Sequence, residues 1–216
     1  MARRVCFIVD GFDLYHSLKE VEKAGGGRCH WVDLPALCAS YLPLIGGGAT
    51  LADVFYFSAL ASHVEPHNPG TVQRHRTFID ALEASGVTVE LGKFKVKDLY
   101  DTCPRCGGHI HLKRHEEKET DVRIAVKLVE VVADGSCEAV AVITGDTDLV
   151  PAVGAARRLQ PSVDVYMLFP PRRSNRAFDR VASGTFKIAP AKYRAHQFPD
   201  PVIAPDGRMI RKPAGW

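Results

Sequence analysis

Residues 5–18 read VCFIVDGFDLYHSL. Val5–Val9 is a short, unbroken apolar run, the pattern of a strand buried on both faces. It stops on Asp10 and Gly11, and a second acid, Asp13, follows. An acid placed where such a strand ends belongs at the rim of a sheet. From Phe12 to Val21 the apolar positions recur at helical spacing, so the stretch reads as a strand, an acidic turn and a helix.

The rest of the chain repeats this alternation. Further strands are expected at Val54–Ala59, Val87–Phe94, Ala139–Thr144 and Val163–Leu168. Helices are expected at Leu34–Leu42, Val72–Ser85, Val122–Val132 and Leu149–Leu159, with Phe78, Ile79 and Leu82 on one face of the second. This order predicts an α/β fold: a three-layer α/β/α arrangement around a mainly parallel sheet. Gly25–Gly27 and Gly46–Gly48 punctuate loops. One domain is expected over residues 1–190. Residues 96–117 break the pattern as a polar, cysteine-containing insertion, and 191–216 read as an extended basic, proline-rich tail.

The 216 residues carry a net charge of +3, with 46% apolar and 25% charged residues. That is an ordinary globular composition, and the charge is too mild to establish a polyanion partner by itself. Asp10 cuts the first apolar run too early for a secretory signal. No stretch reaches the roughly 18 apolar residues of a membrane span. A cytoplasmic location and no membrane partner are expected. The six cysteines then read as thiols or metal ligands. Cys6, Cys38 and Cys137 have apolar surroundings and read as small buried hydrophobes, while Cys29 is uninformative.

Three acidic motifs occupy equivalent places. Asp10 and Asp13 follow the first strand, Asp146 and Asp148 follow AVAVIT, and Asp121 opens a helix in EEKETDVRIAVKL. In a parallel sheet such ends share one edge, where ligands bind. Each acid also has a local reading as a helix cap or first-turn acid. Together, two carboxylates about 4 Å apart repel by about 4 kcal/mol at an effective dielectric near 20. A cluster of them therefore calls for a divalent cation, and oxygen ligands suit Mg2+ or Mn2+. There is no nucleophile motif and no Walker-type phosphate loop, which leaves metal-assisted phosphodiester hydrolysis.

FIVDGFDLYHSL resembles the opening motif of NYN domains, the PIN-like nuclease group that includes LabA-like and limkain-type proteins. EEKETDVRIAVKLVE resembles their EKGVDV helix, and VITGDTDLVPAV their SGDSDFxPxV motif. The resemblance spans roughly residues 4–189. It implies a PIN-like fold, a metal-dependent ribonuclease and a homodimer. It implies Asp10, Asp121, Asp146 and Asp148 as catalytic, metal-binding carboxylates. Asp13 stands where the family commonly has asparagine: it adds a ligand or repels phosphate. Thr144 and Thr147 stand near the family's serines, with two readings: bonding a metal-bound water, or serving as helix-start hydroxyls.

Substrate contacts are expected from Lys118, Arg173, Asn175 and Arg176, for which ordinary surface charge is the competing reading. CPRCGGHIH offers Cys103, Cys106, His109 and His111 as a zinc knuckle, with His115 as a substitute ligand. A free thiol pair and a plain turn remain open. Lys93, Lys95, Lys97, Lys113 and Arg114 flank this insertion, and Tyr100 and Phe94 either stack on bases or pack locally. RNA, single-stranded or structured, is the expected partner. The competing readings are a non-catalytic RNA- or protein-binding module, and a small-molecule phosphohydrolase. Against the last, Asp10 and Asp13 lie three residues apart, whereas the haloacid-dehalogenase-like motif separates its acids by two.

Overall fold

The computed structural model describes residues 3–216. The opening stretch forms strand β1 (Arg3–Asp10) and helix α1 (Gly11–Val21). Helices α2 (Leu34–Ala39) and α3 (Leu42–Ile45) lead into β2 (Ala49–Ser58). Then come α4 (Thr71–Ala84) and β3 (Thr88–Leu91). Two long strands, β4 (Lys93–Thr102) and β5 (His109–Lys118), precede α5 (Thr120–Ala133). The second half runs β6 (Ala139–Ile143), α6 (Val150–Leu159), β7 (Asp164–Phe169), β8 (Gly184–Lys187) and α7 (Pro190–Ala195). It ends with β9 (Val202–Ile203) and β10 (Met209–Ile210).

Six strands form one sheet in the order β3-β2-β1-β6-β7-β8, every neighbouring pair parallel. The expected three-layer α/β fold is therefore present. The chain winds outward from β1 in one direction and from β6 in the other. The β1–β6 boundary is the topological switch point, where open α/β sheets bind ligands beyond their strand ends.

Strand alternation divides the core. Val5, Phe7 and Val9 join Ala139, Ala141 and Ile143 on one face, against α1, α2 and α4. Cys6 and Ile8 join Val140 and Val142 on the other, against α5 and α6. Cys6, Cys29, Cys38 and Cys137 are buried free thiols. No helix among the described residues is long and apolar enough to cross a membrane.

Two regions differ from the sequence reading. The strand expected at Val87–Phe94 breaks at Gly92. A Cβ there would sit 2.7 Å from Thr120 Oγ1 and 2.9 Å from the Lys118 carbonyl. The chain turns out of the sheet, and the insertion becomes a ten-residue antiparallel ribbon of β4 and β5. The 191–216 segment is no extended tail. Phe198, Val202, Ala204 and Ile210 are buried in the first core layer, and the buried Tyr193 meets Ser17 through hydroxyls 3.1 Å apart. Trp31 Nε1 donates to the Pro199 carbonyl at 3.1 Å, and the Trp216 ring packs 5.8 Å from Phe78.

Candidate active site at the sheet rim

Asp10 ends β1 and caps α1. Its Oδ1 accepts from the Phe12 and Asp13 amides at 3.0 and 3.1 Å. Its Oδ2 accepts from Thr144 Oγ1 at 3.0 Å. Gly11 is required beside it, because a Cβ would lie 2.6 Å from the Tyr56 ring and 2.7 Å from the Phe57 carbonyl. Burial, reinforced by the neighbouring charge of Asp13, pushes the Asp10 carboxyl up to about 7.

Asp13 is held by donors. It accepts from Gly145 N at 2.6 Å and Arg173 Nη1 at 2.8 Å, and it shares the single Thr144 hydroxyl proton, 3.1 Å away, with Asp10. Arg173 also reaches Glu20 at 3.4 Å. A Cβ on Gly145 would fall 2.6 Å from that of Arg173, so glycine permits this approach of two loops. Asp13 and Arg173 were expected at the substrate. The structure uses them instead as a brace between α1 and the loops after β6 and β7. Thr144 is fully buried in the same brace, and its oxygen also accepts from the Asp146 amide at 3.1 Å. It has no free approach to a bound water.

The other acids are more open. Asp146 caps a short 3-10 turn by accepting from Asp148 N at 3.0 Å, and Thr147 and Asp148 are exposed beside it. Asp121 is exposed in the first turn of α5. Its carboxyl is raised by partial burial and then by the charges of Asp146, Asp148 and Asp13. The acids from β1, α5 and the turn after β6 thus lie near one another at the switch point, close enough to raise the Asp121 carboxyl, and Asp10 and Asp146 keep their local capping bonds.

Sequence reasoning missed Glu117. It ends the ribbon opposite Phe94, and its Oε1 is buried without a hydrogen-bond partner among the described residues. Burial pushes this carboxyl up to about 7, with added repulsion from Asp10 and Asp121. Its signal lay in strand alternation. Glu116 and Lys118 point to one face of β5 and bond each other at 2.9 Å, while Glu117 points to the other. Lys118 is thus an exposed member of a surface pair, not a group aimed into the cluster.

Asn175 caps a 3-10 turn, its Oδ1 accepting from Ala177 N at 2.9 Å, and Arg176 beside it is exposed. The knuckle residues do not gather. Cys103 and Cys106 share the ribbon's turn, whereas His111 Nε2 meets Asp98 Oδ1 at 2.7 Å and its ring stacks on Tyr100. His115 stacks on His63.

Among the described residues, no three His, Cys, Asp or Glu side chains converge closely enough to enclose an ion. The rim still fits a hard cation chemically. Its donors are all oxygen, one is buried and unpaired, and three carboxyls are raised by burial and by neighbouring acids. Mg2+ is commonly held by one or two carboxylates, with water and phosphate completing its shell.

The fold and rim define an α/β protein with a carboxylate-lined switch point. The NYN domain family model matches residues 44–189, more than half of the chain, and the chain belongs to that family. The match begins after α1. Asp10 and Asp13 are tied to the site by their bonds to Thr144. A crystal structure of a protein of unknown function from Vibrio parahaemolyticus RIMD 2210633 superposes with a TM-score of 0.55 at 15% identity. That alignment covers 87% of this chain and 94% of the other, and shows the shared fold. A ferredoxin-flavin thioredoxin reductase from Clostridium acetobutylicum matches at a TM-score of only 0.19, with 10% identity over 95% of this chain and 70% of that one. No curated protein matches.

Proposed function

We propose that this NYN protein is a metal-dependent ribonuclease with its active site at the β1–β6 rim. The observation that carries the reading is the gathering of acids from separate segments at that rim, where burial and neighbouring charge raise the carboxyls of Asp10, Glu117 and Asp121. Asp10, Asp121, Asp146 and Asp148 would hold Mg2+ or Mn2+, which when bound supplies charge stabilisation and a more acidic water. Glu117, titrating near neutrality, accepts a proton from the attacking water. The Asp13–Thr144–Arg173 brace keeps the two central strand ends in register. Exposed Arg176, the free amide nitrogen of Asn175 and Thr147 contact the RNA backbone.

A second reading, a non-catalytic RNA- or protein-binding module, draws on Arg173. This guanidinium already supplies positive charge to Asp13, so part of the acid cluster serves to hold loops together. Cleavage of an end-labelled RNA in Mn2+ decides between them. The ribonuclease reading expects turnover by the wild type and a loss of at least a hundredfold in Asp146→Asn. Binding without turnover in both proteins supports the module.

A further inference from the structure

The β4–β5 ribbon is not explained by the carboxylate site. Its register sets Phe94 opposite Glu117, Val96 opposite His115, Asp98 opposite Lys113 and Tyr100 opposite His111. With a side-chain period of two, these four pairs share one face. At its root the face lines a cleft that adjoins the carboxylate rim. The Phe94 ring lies 5.7 Å from Phe12 and 4.5 Å from His63, and His63 stacks on His115 at 4.3 Å. Phe94 and Glu117 both line a cleft of about 780 Å³ that also contains Gly11, the neighbour of Asp10.

Toward the tip the same face becomes solvent-exposed but remains aromatic. Tyr100 and His111 stack at 4.6 Å with planes 5° apart, and Tyr100 is 78% exposed. Asp98 bonds His111 and fixes its ring. Val96, between the two aromatic pairs, is also exposed. This row of planar groups does not contribute to either core layer. Lys113 lies on the same face, and Lys95, Arg114 and Lys97, the last paired with Glu116, are exposed on the reverse.

We infer that this face is a stacking track that binds single-stranded nucleic acid and leads it to the carboxylate rim. Bases stack on planar side chains irrespective of sequence, while Lys113 on the same face meets the backbone. The six residue steps from Phe94 to Tyr100 span about 20 Å. At a rise of about 3.4 Å per stacked base, that accommodates about six nucleotides. The inference takes its ligand class from the ribonuclease reading, but binding can be measured without cleavage.

The test is fluorescence anisotropy of a labelled 12-nucleotide single-stranded RNA in EDTA, with the matching duplex as a control. Tyr100→Ala should weaken single-strand binding about tenfold and leave duplex binding unchanged. Tyr100→Phe, which keeps the ring, should bind like the wild type and shows that the ribbon is intact. Unchanged single-strand affinity in Tyr100→Ala, or an equal loss for the duplex, overturns the track. In Mn2+, Tyr100→Ala should lower kcat/KM for the 12-mer but not for a dinucleotide, which is too short to reach the tip. A protein that never cleaves RNA but shows the Tyr100→Ala binding loss refutes the nuclease and supports the track. Cleavage with unchanged binding does the reverse.

Discussion

The two sides of the carboxylate rim contain the same chemical group in different situations. Asp13 receives one hydrogen bond and a shared second from the loop after β6, with an ion pair from Arg173, and its side chain is 14% exposed. Asp121 and Asp148 are exposed and lie near other acids. The first arrangement spends its lone pairs inside the protein. The second leaves them for something from outside. Proximity to the switch point alone therefore does not leave an acid open to a ligand: Asp121 and Asp148 are open, and Asp13 is not.

The sharpest way to break this comparison is to neutralise an acid on each side. Asp121→Asn should lower RNA cleavage in Mn2+ by at least a hundredfold, while its urea midpoint stays near the wild-type value. Asp13→Ala should behave in the opposite way to Asp121→Asn in stability. It strands Arg173 and the Gly145 amide, and should cost about 3 kcal/mol in urea denaturation. Equal stability losses in the two variants would remove the distinction.

A second test uses pH. Asp10 has a folded value of about 7, above its ordinary 3.8. Between those values the folded protein holds a proton that the unfolded chain has released. Metal-free stability should therefore fall as pH rises from about 4 to 7, by about 3 kcal/mol from this group. Asp10→Asn retains a capping oxygen and should flatten part of that slope, with Glu117 contributing the remainder. Thermal unfolding at a series of pH values in EDTA measures it.

The smallest expected effect is at Glu119, which has φ of 81° in the left-handed region. The resembling EKGVDV motif has glycine there. Glu119→Gly relieves about 1 kcal/mol of strain and loses exposed pairs to Arg123 and Lys93 worth about 0.5 kcal/mol together. A net gain of about 0.5 kcal/mol is expected in urea denaturation.

The central sheet was readable because β1, β2, β6 and β7 are apolar runs that a parallel sheet buries on both faces. The edge strand β8 was not, because GTFK is short and half exposed. The C-terminal segment also escaped. Its core residues Phe198, Val202 and Ile210 stand singly among prolines and charges, with no period to mark them. At the rim, strand and helix ends pointed to Asp10, Asp121, Asp146 and Asp148 as candidates. Glu117 was hidden inside the charged run HEEKET until its partner across the ribbon was known. The role of Arg173 depends on a loop crossing near Gly145, which no local pattern encodes.

The capping carboxylates of Asp10 and Asp146 make the rim self-aligning. In each, one oxygen is engaged by the backbone of the element that it begins. Building the first turn therefore also orients the second oxygen, so the act of folding fixes both carboxylates without a separate device to do so.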